Sequence, residues 1–401
     1  MKVLLMLSLL LLVAVAPACK KKVATGKPDA GAAATQPLPV ENVRPVAVHA
    51  SGVTNKCVGG LDRSGAPQEF VIAGKKWRRQ GYELTALDKD PDTNATLGLL
   101  SDIKDASEGT LANLKSFIAR FKKRGVDAII ATGDIAEEAP DLRNVLITLA
   151  DSGLPTFVII GNIESLKDYD AAFAAVSAQK PNLFDLNKLR FVSGDDFDLV
   201  SLPGYHDANH VRTKEGCAYT AEDVNDVAKL VGRVTQAPVL VSHGPPRGTT
   251  NSSLDYLGEK EGHVGDEKLA SLIQRTGIAF GVFGNVMEQG GTGVAADFNT
   301  RVAPGVFADR LYVNVGRASA TPWNMNSGEV STGMAMVLRI QNKKASYEVL
   351  KAGAKPTVPL KGAAPAAGSA AGSGSAASSG AEKGSVPAAG SAKPEAPRPA
   401  K

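Results

Sequence analysis

Val126-Asp127-Ala128-Ile129-Ile130-Ala131-Thr132-Gly133-Asp134 decides how this chain folds. The apolar run from Val126 to Ala131, interrupted only by Asp127 and followed by Gly133-Asp134, reads as a strand buried on both faces with a polar residue at its C-terminal end. On the N-terminal side, Leu111, Leu114, Ile118 and Phe121 fall at helical spacing within Thr110 to Arg124, and before them Thr96 to Ser101 is another apolar run, ending at Asp102. On the C-terminal side, Leu142, Val145, Leu146 and Leu149 mark a second helix leading to Phe157-Val158-Ile159-Ile160, which stops at Gly161-Asn162. The order is βαβαβ, and open α/β sheets carry their chemistry at the C-terminal strand ends.

Further along, apolar runs recur at Leu199 to Leu202, Val239 to Val241, Ile278 to Phe283, Leu311 to Val315 and Met334 to Ile340, with helices near Ala221 to Val234 and Asp266 to Thr276. Mostly strand follows Phe280, which predicts a second sheet facing the first. The stretch 46–95 holds short β-like pieces such as Glu69-Phe70-Val71-Ile72 and Trp77-Arg78-Arg79, and reads as a small β-rich extension ahead of a main domain over 96–350.

The two ends differ in kind. Val3 to Ala16 is apolar but, at fourteen residues, shorter than the roughly 20 of a membrane-spanning helix, so 1–18 reads as a secretory signal peptide. It ends in Ala16-Pro17-Ala18-Cys19, which resembles the lipobox of bacterial lipoproteins, with Ala16 where leucine is usual. That makes Cys19 the expected lipidation site and the bacterial cell envelope the expected location, with the membrane as one partner; the alternative is a plain signal peptide that leaves Cys19 free. Residues 19–45 and 351–401, rich in Ala, Gly, Pro, Ser and Lys without an aromatic residue, read as a disordered tether and tail.

With 401 residues and a formal charge of only +4, the chain is long enough for a large core and carries no bias toward nucleic acid. Three cysteines exclude a disulfide scaffold and a zinc site of four thiolates. In an oxidising compartment Cys57 and Cys217 become candidates to pair, a question their spacing leaves open. No Gly-x-x-x-x-Gly-Lys phosphate loop and no His-Glu-x-x-His helix is present.

The strand-end residues form an ordered set: Asp102 in Ser101-Asp102-Ile103-Lys104, Asp134 in Gly133-Asp134, Asn162 in Gly161-Asn162-Ile163-Glu164, His243 in Ser242-His243-Gly244-Pro245-Pro246, and Asn285 in Gly284-Asn285-Val286-Met287. Oxygen and imidazole donors converging on one edge suit a divalent metal. In order and spacing the set resembles the calcineurin-like metallophosphoesterases. The resemblance implies a four-layer αββα sandwich, phosphoester hydrolysis and a two-metal centre bridged by Asp134.

Departures from the family pattern are as informative. Lys104 stands where the first block has His, Ile163 where the third has the catalytic His, and Asn285 and Met287 where the last block has two more. The retained positions are Asp102, Asp134, Asn162 and His243, with Asn285 as a carboxamide in the fourth ligand position of the second metal. A two-metal centre is not expected; one divalent ion, Mg, Mn or Ca, remains open. Ile163 cannot transfer a proton, a loss typically worth about 10²- to 10⁴-fold in rate. Lys104 has two readings, a solvated surface charge or an ammonium standing where the missing cation was. Asp102, Asp134 and Asn162 each read alone would pass for turn or cap residues; His206, His210 and His263 offer themselves as replacement ligands but read by default as surface histidines, and His49 has no motif around it. Three functions follow: a weakened phosphoesterase, a non-catalytic binder of a phosphorylated small molecule or envelope partner, and an envelope scaffold.

Overall fold

The computed structural model describes residues 55–353. The signal peptide, Cys19, the tether, His49 and the tail beyond Gly353 lie outside the described residues. Strands β1 (Gln68–Ile72), β2 (Lys75–Gln80) and β3 (Glu83–Ala86) form an antiparallel meander. A parallel series follows: β4 (Asn94–Leu100), α1 (Glu108–Lys123), β5 (Ala128–Ala131), α2 (Ala139–Ala150), β6 (Thr156–Val158), α3 (Leu166–Ser177) and β7 (Leu183–Asp185). Next come β8 (Phe191–Ser193), β9 (Phe197–Leu202), α4 (Ala221–Val231) and β10 (Ala237–Ser242). Then follow a small ribbon, β11 (Tyr256–Gly258) with β12 (Gly262–His263), and α5 (Glu267–Thr276). The chain closes with β13 (Phe280–Phe283), β14 (Thr292–Val294), β15 (Arg301–Val302), β16 (Leu311–Asn314), a second ribbon of β17 (Trp323–Asn324) and β18 (Val330–Ser331), and the hairpin β19 (Met334–Gln341) with β20 (Lys344–Lys351).

Two sheets result. One has six strands in the order β20-β19-β4-β5-β6-β7, the other ten in the order β1-β2-β3-β8-β9-β10-β13-β16-β14-β15. Side chains alternate across each strand, and that alternation builds the layers. Leu97, Leu99, Ile130, Phe157 and Ile159 face Val239, Val241, Phe280, Val282 and Val313 in the core between the sheets. Their neighbours Leu100, Ile129, Ala131, Val158 and Ile160 turn outward beneath Leu114, Phe117, Phe121, Leu142, Val145 and Tyr169 of α1 to α3. On the far side, Val200, Leu240 and Tyr312 are covered by Val224, Val227, Leu269 and Leu272 of α4 and α5. The architecture is a four-layer αββα sandwich.

Three features depart from the pattern read in the sequence. The strands within 46–95 do not stand apart: β3 pairs in parallel with β8, so the meander is the edge of the large sheet. The hairpin β19–β20 returns to the first sheet, where β19 pairs antiparallel with β4. Helix α3 interrupts the region after Asn162, capped by Ser165, whose hydroxyl accepts from the Asp168 amide. Cys57 and Cys217, 160 residues apart, are joined as a disulfide with Cα atoms 5.5 Å apart.

Candidate functional site

The C-terminal ends of β4, β5 and β6 from one sheet and of β10, β13 and β16 from the other converge on one edge of the sandwich. Asp102, Asp134, Asn162, His243, Asn285 and Arg317 leave these six ends in turn. Four residues of this cluster adopt left-handed backbone: Asp102 (φ 50°), Lys104 (φ 68°), Asp134 (φ 55°) and Asn285 (φ 64°). Non-glycine residues there cost on the order of 1 kcal/mol or more each and persist where the surroundings hold them. Here the loops are laced together: the Asp102 amide donates to the Gly133 carbonyl at 3.2 Å and the Lys104 amide to the Asp134 carbonyl at 3.0 Å. Gly133 (φ 93°) and Gly161 make this approach possible, since a Cβ on Gly161 would collide with the Asp134 carboxylate.

β4 ends at Leu100, so an extended strand does not carry Lys104 to the face of Asp102. The paired left-handed turns do it instead. Lys104 Nζ lies 3.1 Å from Asp102 Oδ1 and also contacts Asp134 Oδ2, with 16 % of its side chain exposed. Burial alone would depress the ammonium's pKa; Asp134 and Asp102 outweigh it and leave the pKa raised. Asp102 is fully buried, and its Oδ2 accepts from Ser101 Oγ at 2.8 Å and the Asn285 amide at 2.9 Å.

Asp134 is the hub. Its Oδ1 accepts from the Asn162 amide at 2.9 Å and faces His243 Nε2 at 3.1 Å. Burial works against the carboxylate, yet His243 and Lys104 hold it well below the usual range. For His243 burial opposes charge as well, and Asp134 reverses it, raising the imidazole to about 9. Both ring nitrogens face acceptors, Nδ1 donating to the Thr132 carbonyl at 2.8 Å and Nε2 lying 3.1 Å from Asp134 Oδ1 and from Asn162 Oδ1, an arrangement that favours the protonated imidazole. Asn162 Nδ2 donates to the His210 carbonyl at 2.8 Å.

Asn285 reaches the cluster through its backbone N–H, while its side chain lies beside the Tyr205 hydroxyl. Ile163 is buried, 3 % exposed, and Met287 is buried in a short turn. His206 and His210 belong to the loop whose Tyr205 ring stands 6.2 Å from the His243 ring, whereas His263 pairs with Asp255 at 2.9 Å.

Two contributors had not been singled out from sequence. Glu164 is buried, accepts from the Gly161 amide at 2.9 Å and from the Ile135 amide, and is pushed up to about 7 by burial and then by Asp134. Its place directly after Ile163 in the third block was the available signal. Arg317, 6 % exposed, follows Asn314-Val315-Gly316; burial depresses its guanidinium while Asp102, Asp105 and Asp134 oppose this.

A first metal ion does not fit: an ammonium already pairs with both surviving carboxylates. The second position fits better. Asp134 Oδ1 and Asn162 Oδ1 each lie 3.1 Å from His243 Nε2, so a carboxylate oxygen, a carboxamide oxygen and an imidazole nitrogen converge as donors that would suit one divalent ion. A metal there requires His243 to lose its proton.

No curated protein sequence matches the chain. Solved structures that align with it include the protein TT1561 of Thermus thermophilus (14 % identity, 64 % of this chain and 99 % of that one, TM-score 0.41). A dimetal phosphatase from Danio rerio aligns at 10 % identity over 65 % and 99 % (0.42), and a purple acid phosphatase from yellow lupin seeds at 14 % over 69 % and 56 % (0.40). The calcineurin-like phosphoesterase family model matches residues 95–285, the segment that supplies Asp102, Asp134, Asn162, His243 and Asn285. By that match the chain carries a calcineurin-like phosphoesterase domain.

Proposed function

We propose that the cleft is a non-hydrolytic descendant of a phosphoesterase centre, in which Lys104 replaces the first cation and the site binds a phosphorylated ligand. One observation carries this: the Lys104 ammonium bridges Asp102 and Asp134, the two carboxylates that the family resemblance assigns to the first metal. Arg317 is buried at the same edge, where Asp102, Asp105 and Asp134 face its guanidinium and its Nε donates to the Thr321 carbonyl at 3.0 Å. Lys104, His243 and Arg317 would offer a phosphoryl group charge-assisted donors at this one edge. Turnover is not supported, because Ile163 offers no proton to a leaving group. The spacing around His243 Nε2 supports at most one divalent ion, bound by Asp134, Asn162 and His243. Such an ion would supply Lewis-acid charge stabilisation.

The test is a phosphodiester assay with added Mn²⁺, paired with calorimetric titration of inorganic phosphate. The expected result is phosphate binding without measurable hydrolysis. Metal-dependent turnover abolished by Asp134→Ala would show that the centre is a working enzyme; absence of phosphate binding would leave the scaffold reading. We place the protein in the bacterial envelope through a lipidated Cys19, on the strength of Ala16-Pro17-Ala18-Cys19. Cys19→Ala is expected to move the protein to the soluble fraction, and unchanged membrane association would refute the anchor.

A further inference from the structure

A second group of carboxylates lies at the opposite edge of the sandwich. Asp90 and Asp92 belong to the connection that carries the chain from β3 in the large sheet to β4 in the small one, while Asp195 and Asp196 form the turn between β8 and β9. These positions precede β4 and β9, whose C-terminal ends lead to the cleft and its Tyr205 loop, so a strand length separates the two regions. Asp90, Asp195 and Asp196 each offer an oxygen, and the three oxygens lie within 4.8 Å of one another. Among the described residues no other trio of His, Cys, Asp or Glu does so.

Proximity of acidic groups is not by itself a site. The independent observation is Asp196: the residue is 9 % exposed and its Oδ2 is buried without a hydrogen-bond donor among the described residues. A buried carboxylate oxygen left without a partner is costly. Lys75 Nζ answers only Asp195, at 2.9 Å from Oδ2, and the Asp90 amide also points to Asp195. Asp92 lies beside Asp196 and adds a fourth carboxylate to the group.

We propose that Asp90, Asp195 and Asp196, with Asp92 beside them, form a Ca²⁺ site that staples the crossing between the sheets to the β8–β9 turn. All the donors are hard oxygens, which select a hard cation over zinc or copper. Oxygens on opposite sides of Ca²⁺ stand about 4.6–5.2 Å apart, against about 4.0–4.2 Å for Mg²⁺. Oxygens that all lie within 4.8 Å of one another can close on a single ion of either size; the choice of Ca²⁺ rests on the ligand set, which is irregular, drawn from two loops and suited to its tolerant geometry rather than to the near-ideal octahedron Mg²⁺ demands.

The test uses the full chain, stripped with chelator and titrated with CaCl₂ by calorimetry and thermal melts. One Ca²⁺ per chain is expected, with affinity in the range of roughly 10⁻⁴ to 10⁻³ M typical of extracellular modules. At tenfold excess the melting temperature should rise by about 2–4 °C. Asp196→Asn should abolish the shift. Asp90→Asn, at an exposed position that leaves the core untouched, should do the same if the buried variant fails to fold. Asp134→Asn, in the cleft, should retain it. No binding at roughly 10 mM, binding unaffected by Asp90→Asn, or binding lost with Asp134→Asn would overturn the site. An equal response to Mg²⁺ would overturn the choice of calcium.

Discussion

Two groups of aspartates sit at opposite edges of this sandwich, and they solve the same electrostatic problem differently. In the cleft Asp102 and Asp134 are fully buried, and the chain supplies their counter-charges itself through Lys104 and His243. At the far rim Asp195 and Asp196 are nearly buried beside exposed Asp90, and one ammonium, Lys75, reaches only one of the three. Two adjacent carboxylates do not both ionise cheaply in a low-dielectric setting. Burial therefore demands a cation, and the difference lies in whether the cation is covalently part of the chain. A lysine fixed in the cleft makes the first metal position indifferent to metal supply, whereas the rim is left to draw its charge from solution.

The strongest way to break this contrast is Lys104→Ala. It leaves Asp102 and Asp134 buried with His243 as their nearest cation, and the expected loss is roughly 1–3 kcal/mol of folding stability in chelator. Denaturant unfolding of parent and variant measures it. An unchanged midpoint would mean that the ammonium contributes nothing to holding the two carboxylates. A smaller effect sharpens the contrast: excess Mg²⁺ or Mn²⁺ should restore part of that loss in Lys104→Ala while barely moving the parent. Both chains should carry Asp90→Asn in this comparison, so that ion binding at the rim does not enter. If metal stabilises both chains equally, the vacated lysine position is not a cation position.

The cleft was legible in sequence because parallel strands give up their polar residues at one end. Asp102, Asp134, Asn162 and His243 each close an apolar run, and the buried face of that run fixes where the residue emerges. What the one-dimensional pattern hid was backbone conformation. An extended strand through Ile103 would set Asp102 and Lys104 on one face, but β4 stops at Leu100 and two left-handed residues turn Lys104 inward. Asn285 could be placed at its strand end, yet only the turn geometry determines that its amide, and not its carboxamide, meets Asp102. Helix α3 escaped notice because its buried stripe of Tyr169, Ala172, Phe173 and Val176 contains few large aliphatics. The rim was invisible for another reason: Asp90 and Asp195 are over a hundred residues apart, in loops that carry no periodicity.

The finest distinction between the two groups is in their response to pH. Burial, followed by Asp195, Asp90 and Asp92, raises the Asp196 carboxyl from 3.8 to about 6. An acid whose folded pKa is raised favours the fold in its protonated form, so this contribution is complete below 3.8 and is lost as pH rises through about 6. His243 is a base raised from 6.5 to about 9, so its contribution is complete below 6.5 and lost as pH rises through about 9. Without divalent ions Asp196 at the rim thus weakens the fold between about pH 4 and 6, and in the cleft Glu164, raised from 4.5 to about 7, does so between about 4.5 and 7 and His243 between about 6.5 and 9. Asp185, raised to about 6 mainly by burial, has the same sign as Asp196, so the slope of the parent alone does not separate them. The difference between parent and Asp196→Asn does: in chelator the variant's stability should fall less between about pH 4 and 6 and follow the parent above about 6.5. Added Ca²⁺ should flatten the acidic limb of the parent, because an ion on the carboxylates replaces the proton that the buried oxygens otherwise need. Parallel curves for parent and variant from about pH 4 to 6 would show that Asp196 ionises in the fold without cost, and the contrast between the two edges would then reduce to the lysine in the cleft.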